Sequence, residues 1–302
     1  MSTVPDSPVS AVAAPHWRDF LELTKPKVSL LIVFTAIVGM VLASPGWIPL
    51  QALFLGSIGI AMASGSAAAF NHILDQRIDA HMLRTRRRPL PTGHLQEKHA
   101  VLFAVALAMS SMMILALGVN LLTAVLTFCS IIGYAMVYTL WLKRATPQNI
   151  VIGGAAGAAP PVLGWAAITN TIDPHALILF LIVFTWTPPH FWALAIARRE
   201  DYAKVGIPML PVTHGVPYTR VQIVLYTILL ILTTLLPFLT RMSGLIYLAA
   251  ALMLNARFLY FVLALNRGRR ADLPMRTFRF SITYLMLLFA ALIVDHYLFI
   301  PG

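Results

Sequence analysis

Nine stretches of this chain are each long and apolar enough to cross a lipid bilayer, and that feature decides the class of fold. They cover residues 27–43, 48–70, 98–118, 121–141, 150–169, 176–197, 222–240, 243–265 and 279–299. A hydrocarbon core about 30 Å thick asks for a helix of about 20 apolar residues. Inside lipid each backbone N–H and C=O must be satisfied within the protein, so such runs are helices. Composition agrees: 59% of the 302 residues are hydrophobic and 11% are charged, whereas soluble domains carry about a quarter charged residues. A water-soluble fold is excluded, and an all-α polytopic membrane protein is expected. Residues 1–16 are polar and read as a disordered cytoplasmic tail, and 17–302 as one membrane-embedded domain. Because Ala11-Val12-Ala13 has no apolar stretch before it, the first run is not read as a cleaved leader. The sole cysteine, Cys129, lies inside an apolar run, so neither a disulfide framework nor a cysteine metal cluster is expected.

The formal net charge of +11 would suggest nucleic acid as a partner of a soluble protein. Here it is a topology signal. Twenty of the 22 Lys and Arg residues lie before the first run or after the even-numbered ones; Arg241 and Arg257 are the exceptions. Cytoplasmic loops carry the excess of Lys and Arg. The N-terminus is therefore expected in the cytoplasm, the C-terminus on the periplasmic side of the inner membrane, and no nucleic-acid partner is expected. The connections on the outer side, 44–47, 118–120 and 169–175, offer no Lys or Arg, so chemistry is expected at the cytoplasmic face.

The second run leads into Asn71, Asp75 and Asp79, spaced four residues apart. Four residues advance a helix by about 400°, so the three share one face with about 6 Å between neighbours along the axis. Two carboxylates and an amide oxygen in that array suit a hard cation. Mg²⁺ is commonly held by one or two carboxylates plus substrate phosphates, so Asp75 and Asp79 are the candidate metal ligands. Arg77, Arg84, Arg86, Arg87 and Arg88 follow at once and could pair with phosphate oxygens.

The Asn71-x3-Asp75-x3-Asp79 element, the run Arg86-Arg87-Arg88-Pro89-Leu90-Pro91-Thr92-Gly93 and the nine-run layout resemble the UbiA superfamily of intramembrane prenyltransferases. Three further stretches resemble its haem-modifying branch: Thr24-Lys25-Pro26-Lys27, Thr146-Pro147-Gln148-Asn149 with the Gly153–Pro161 run, and Trp186-Thr187-Pro188-Pro189-His190-Phe191-Trp192 leading to Asp201-Tyr202 and Gly206–Pro211. The resemblance spans about residues 18–300. It implies a bundle of two four-helix halves, about 27–141 and 150–265, plus a ninth helix at 279–299. The implied reaction joins haem B, farnesyl diphosphate and water into haem O and diphosphate, with Mg²⁺ as cofactor. Haem A synthase or a terminal oxidase would be the partner. Many members carry a second acidic pair after the sixth helix. This chain departs from that pattern, with Glu200-Asp201 and then Lys204.

On this reading Asn71, Asp75, Asp79, Arg77 and Asp201 are the candidate catalytic residues, and Arg84, Arg87, Lys143 and Lys204 are candidate phosphate contacts. His72 and His190 could ligate iron, hold a propionate or shuttle a proton. Pro188-Pro189 is expected to break the sixth helix beside His190. Arg257, well inside a run, could meet a diphosphate or a propionate, since an intramembrane charge is a functional candidate by default. Phe70, Tyr138, Trp141, Phe191 and Trp192 could face a farnesyl cation. The run Gly153–Ala159 reads as close helix packing, because no strand precedes it to make a phosphate loop. Two other functions stay open: prenylation of a quinone or chlorin ring, and transport of an amphipathic anion. A transporter would place ionisable residues nearer the midplane.

Overall fold

The computed structural model describes residues 16–268 and 270–298; residues 1–15 of the tail expected at 1–16 and the C-terminal residues 299–302 lie outside the described residues, and His16 caps the short helix that follows. Within them are nine helices of membrane-spanning length and apolarity: α1 Pro26–Ala43, α2 Ala52–Asp79, α3 Glu97–Gly118, α4 Leu121–Ala145, α5 Asn149–Thr169, α6 Pro174–Ala197, α7 Gly215–Leu239, α8 Leu245–Arg267 and α9 Leu273–Leu298. Short helices at Trp17–Leu23, Arg199–Lys204 and Leu210–Thr213 lie in the connections on one side. Each span packs on its neighbours in the chain, and α9 returns to α1, closing the bundle into a ring; α1 also packs on α5, and α6 on α9.

All nine expected spans are present, but several run further than their apolar cores. The second continues nine residues past its apolar stretch to Asp79, so the Asn71, Asp75, Asp79 face is helical throughout. α7 and α9 begin at Gly215 and Leu273, taking in Arg220, Arg276 and Arg279. Polar residues at a helix end keep the helical backbone while leaving the hydrocarbon. The expected break at Pro188-Pro189 does not occur: α6 is continuous from Pro174 to Ala197 with both prolines inside it. The hydroxyls of Thr185 and Thr187, just before them, bond back to the carbonyls of Leu181 and Val183. Spanning helices tolerate proline because neighbouring helices and Ser/Thr side chains satisfy what it frees.

Small residues set the close crossing of α1 and α5. A Cβ on Gly164 of α5 would overlap the Ala36 carbonyl of α1, and one on Gly39 of α1 would overlap the Pro161 carbonyl of α5. Gly153 likewise leaves room for the Tyr138 ring, and Gly154 packs on Thr187. These contacts accord with the packing role expected of the Gly153–Ala159 run. Backbone atoms cannot yield as a side-chain tip can, so Gly164→Ala should destabilise the bundle by about 1–3 kcal/mol. Thermal unfolding in detergent should show a lowered midpoint, whereas Gly157→Ala, where a Cβ meets open space, should leave it unchanged.

Polar groups between α7, α8 and α9 hold these helices together. Tyr284 of α9 donates to Asn255 Oδ1 of α8 (2.6 Å), and Asn255 Nδ2 donates to Thr234 Oγ1 of α7 (2.9 Å). Fully buried Asp295 of α9 accepts the backbone N–H groups of Gly244 and Tyr247, capping the start of α8 from a neighbouring helix. A carboxylate at a helix N-terminus is favourable there, which accounts for a charge at that depth.

Candidate active site

Asn71, Asp75 and Asp79 are all buried on one face of α2, as the four-residue spacing requires. Three cations from three other parts of the chain converge on them. Lys25 Nζ donates to Asn71 Oδ1 at 2.5 Å, Lys143 Nζ to Asp75 Oδ2 at 2.5 Å, and Arg88 Nη1 to Asp79 Oδ2 at 2.5 Å. Asn71 Nδ2 donates to Asp75 Oδ2 (2.8 Å) and to Thr139 Oγ1 (3.3 Å), tying the amide to α4. Asp75 Oδ1 is buried with no hydrogen-bond partner among the described residues. The Thr85 hydroxyl donates to the Asp79 carbonyl, fastening the turn that brings Arg88 back over the helix end.

Local backbone explains how these groups reach one another. Lys25 occupies the left-handed region at φ 48°, ψ 62°, immediately before Pro26 opens α1. A non-glycine residue held there carries strain of the kind that collects at functional sites. Residues Gly133–Leu142 of α4 form a π-helix, and its wider winding presents Thr139 toward Asn71 while Thr139 also donates to the Tyr134 carbonyl five residues back (2.8 Å). Such π segments recur at functional sites. The Tyr134 and Tyr138 rings stack in the same segment at 5.5 Å.

A cavity of about 420 Å³ opens beside this group, lined in part by Arg18, Glu22, Lys25, Lys27, His72 and Arg88. His72 is 2% exposed, and neither of its ring nitrogens has a partner among the described residues. Burial, and next the Arg88 charge, push the Lys25 ammonium down to about 7, against the attraction of Asp75 and Asp79. An arriving diphosphate favours the charged form, so above pH 7 its binding takes up a proton. Affinity for a prenyl diphosphate should therefore fall as pH rises through about 7 and beyond, by up to about tenfold per pH unit while Lys25 loads from neutral. Titration by calorimetry should show this slope in the wild type and a flatter one in Lys25→Met.

The second polar loop closes on the first. Asp201 and Tyr202 are buried, and the charges of Arg84 and Arg88 act on the Tyr202 phenol, which burial raises above its ordinary value. Among the described residues no cluster of three His, Cys, Asp or Glu side chains forms. Several sequence candidates stand elsewhere. Arg77 is exposed and has no ion pair among the described residues, because a residue two positions from Asp75 faces about 200° away. Arg87 and Lys204 are also exposed, with no ion pair among the described residues. His190 binds Ser281 Oγ of α9 through Nδ1 (2.6 Å) and lies against Trp186 and Phe278, with centroids at 4.2 and 4.5 Å. It is a link between α6 and α9. Arg257 sits on the exposed face of α8, over Tyr260 and Phe261, and not among the acids. Trp141 and Phe191 are exposed and Trp192 is fully buried. Sequence reasoning misses Lys25 and Thr139 as site residues and finds Arg88 only as one of a run of arginines. The signal for Lys25 lies in the Thr24-Lys25-Pro26-Lys27 stretch; Thr139 has none.

The model of the UbiA prenyltransferase family matches residues 32–293. The chain belongs to that family. A protein of Hahella chejuensis named protoheme IX farnesyltransferase is 59% identical over 289 residues, covering 96% of this chain and 97% of its own. The solved structure of a digeranylgeranylglyceryl phosphate synthase is similar in fold, with a TM-score of 0.78 at 19% identity over 94% of this chain and 99% of its own. A UbiA homologue from Archaeoglobus fulgidus bound to DMAPP and Mg²⁺ superposes with a TM-score of 0.64 at 18% identity, covering 91% and 99%. The family therefore accounts for the nine-helix bundle and makes this an integral membrane protein.

Proposed function

We propose that this prenyltransferase moves the farnesyl group of farnesyl diphosphate to a vinyl group of haem B (protohaem IX), with addition of water, giving haem O and diphosphate. The observation that carries the reading is the meeting of two buried carboxylates with three cations at one end of the bundle. The near-full-length identity to a protein named for this activity selects haem as the acceptor. Two four-helix halves plus α9 bring their polar loops to this end. The asymmetry of Lys and Arg supports a cytoplasmic N-terminus and a periplasmic C-terminus in the inner membrane, and haem A synthase or a terminal oxidase is the proposed recipient of the product.

Asp75 Oδ1 has no partner among the described residues, and Asp79 has only its Oδ2 hydrogen-bonded. Hard oxygens one turn apart thus remain for a divalent cation, and Asp75 and Asp79 would hold Mg²⁺. Bound there, Mg²⁺ would neutralise charge that develops on the leaving diphosphate. The protein's own groups do the rest. Lys25, Lys143 and Arg88 are preorganised where that negative charge grows. Asn71 holds Lys25 and Asp75 in register, and the stacked Tyr134 and Tyr138 rings offer electron-rich faces to a farnesyl cation. His72, with both nitrogens unpartnered among the described residues, is the imidazole available to the second substrate, while Asp201 in the loop after α6 and Arg84 in the loop after α2 close the site from its two sides.

Incubation of the purified protein with haem B, farnesyl diphosphate and Mg²⁺, followed by mass analysis of the extracted haem, tests the reading. A farnesylated, hydrated haem is expected. Unchanged haem together with prenylation of a quinone would move the activity to another acceptor.

A further inference from the structure

The exposed positions of α8 form a stripe down its whole length, through Ile246, Met253, Arg257, Tyr260 and Leu263 to Arg267. A stripe that long is the lipid-facing side of the helix. Arg257 stands on it ten residues before Arg267, about 15 Å below the helix end at 1.5 Å per residue. Its guanidinium carbon lies 5.5 Å from the Tyr260 ring centroid and 5.1 Å from that of Phe261, one turn nearer the basic end. The side chain thus climbs toward the interface, as long cationic side chains do. Arg276, one turn into α9 and also exposed, approaches the same Phe261 ring at 5.9 Å.

Among the described residues these cations share a single carboxylate. Arg276 reaches Asp272 at 3.5 Å, but Asp272 already pairs with Arg270 at 2.8 Å, and Arg257 has no ion pair among the described residues. Attraction to aromatic faces offsets only part of the cost of a cation at lipid depth. Two guanidiniums over one ring suit a ligand with several anionic oxygens and an apolar body. We propose that the outer face shared by α8 and α9 binds an anionic phospholipid, its phosphodiester held between Arg257 and Arg276. Guanidinium forks match phosphate oxygens. The acyl chains lie on the apolar continuation of the same face, along Met253 of α8 and Met286 and Leu287 of α9, all exposed. A soluble anion would leave that apolar surface unused.

Native mass spectrometry of the full-length protein, released from micelles holding phosphatidylglycerol and phosphatidylcholine of equal chain length, tests the site. Preferential retention of phosphatidylglycerol is expected. Arg257→Gln and Arg276→Gln should each weaken it about fivefold, the factor that corresponds to about 1 kcal/mol per basic residue at an anionic surface. Arg144→Gln removes the same charge from an exposed position at the end of α4 and should leave retention unchanged. Equal retention of the two lipids, or an equal loss in Arg144→Gln, would overturn the proposal. Stoichiometric displacement of the lipid by haem B would overturn it too, making this face a substrate entry. None of these readouts depends on turnover, so the site stands or falls apart from the proposed reaction.

Discussion

Asp75→Asn and Asp79→Asn are each expected to lower turnover by at least about 10²–10³-fold, the scale of losing one preorganised charge-stabilising group at a reacting centre. Each substitution removes a hard anionic oxygen while keeping the size of the side chain, so the helix should persist. The two need not behave alike in binding. Asp75 is held by both Lys143 and Asn71, and its loss leaves Lys143 uncompensated; among the described residues the Asp79 side chain is held by Arg88 alone. Rates measured over a range of Mg²⁺ concentrations, with circular dichroism as the control for folding, check the expectation. Near-full activity of either variant at low Mg²⁺ would remove that residue from the site.

Lys143→Met should be the next most damaging change. It strips the paired cation from Asp75 and leaves a buried carboxylate whose one remaining hydrogen bond among the described residues is from the Asn71 amide, and hydrogen bonds to charged groups contribute about 1.5–3 kcal/mol each. Affinity for a non-hydrolysable farnesyl diphosphate analogue should fall about 10- to 100-fold. The double variant Lys143→Met/Asp75→Asn should lose less than the sum of the two singles, because partners in one buried pair couple. Strict additivity would mean that the ion pair has no part in holding the diphosphate.

The nine spans are legible from sequence because lipid imposes a length and an apolarity that no other environment asks for. Their ends are not, since Asp79, Gly215 and Leu273 continue or open helices beyond where hydropathy places their limits. The Asn71, Asp75, Asp79 face follows from a four-residue period alone. Its counter-charges do not: Lys25, Lys143 and Arg88 meet it only through the packing of α1, α4 and the loop after α2. The same period that gathers the acids sends Arg77 away from them, since two residues turn a helix by about 200°. Thr139 depends on a π-helical register that carries no signature in residue type. Pro188 and Pro189 mislead because the rule that proline breaks helices belongs to water, whereas in a bundle neighbouring hydroxyls and helices supply the missing partners. Depth alone suggests that Arg257 points inward; its position on the outer stripe of α8 decides otherwise.

Mn²⁺ in place of Mg²⁺ gives the most direct test of the site. Electron paramagnetic resonance of the purified protein, with and without a non-hydrolysable farnesyl diphosphate analogue, should show one or more bound Mn²⁺ ions with phosphorus hyperfine coupling when the analogue is present. Both the bound signal and the coupling should vanish in Asp75→Asn/Asp79→Asn. Retention of a phosphorus-coupled Mn²⁺ signal in that double variant would contradict the account, because metal and diphosphate would then meet somewhere other than this face of α2.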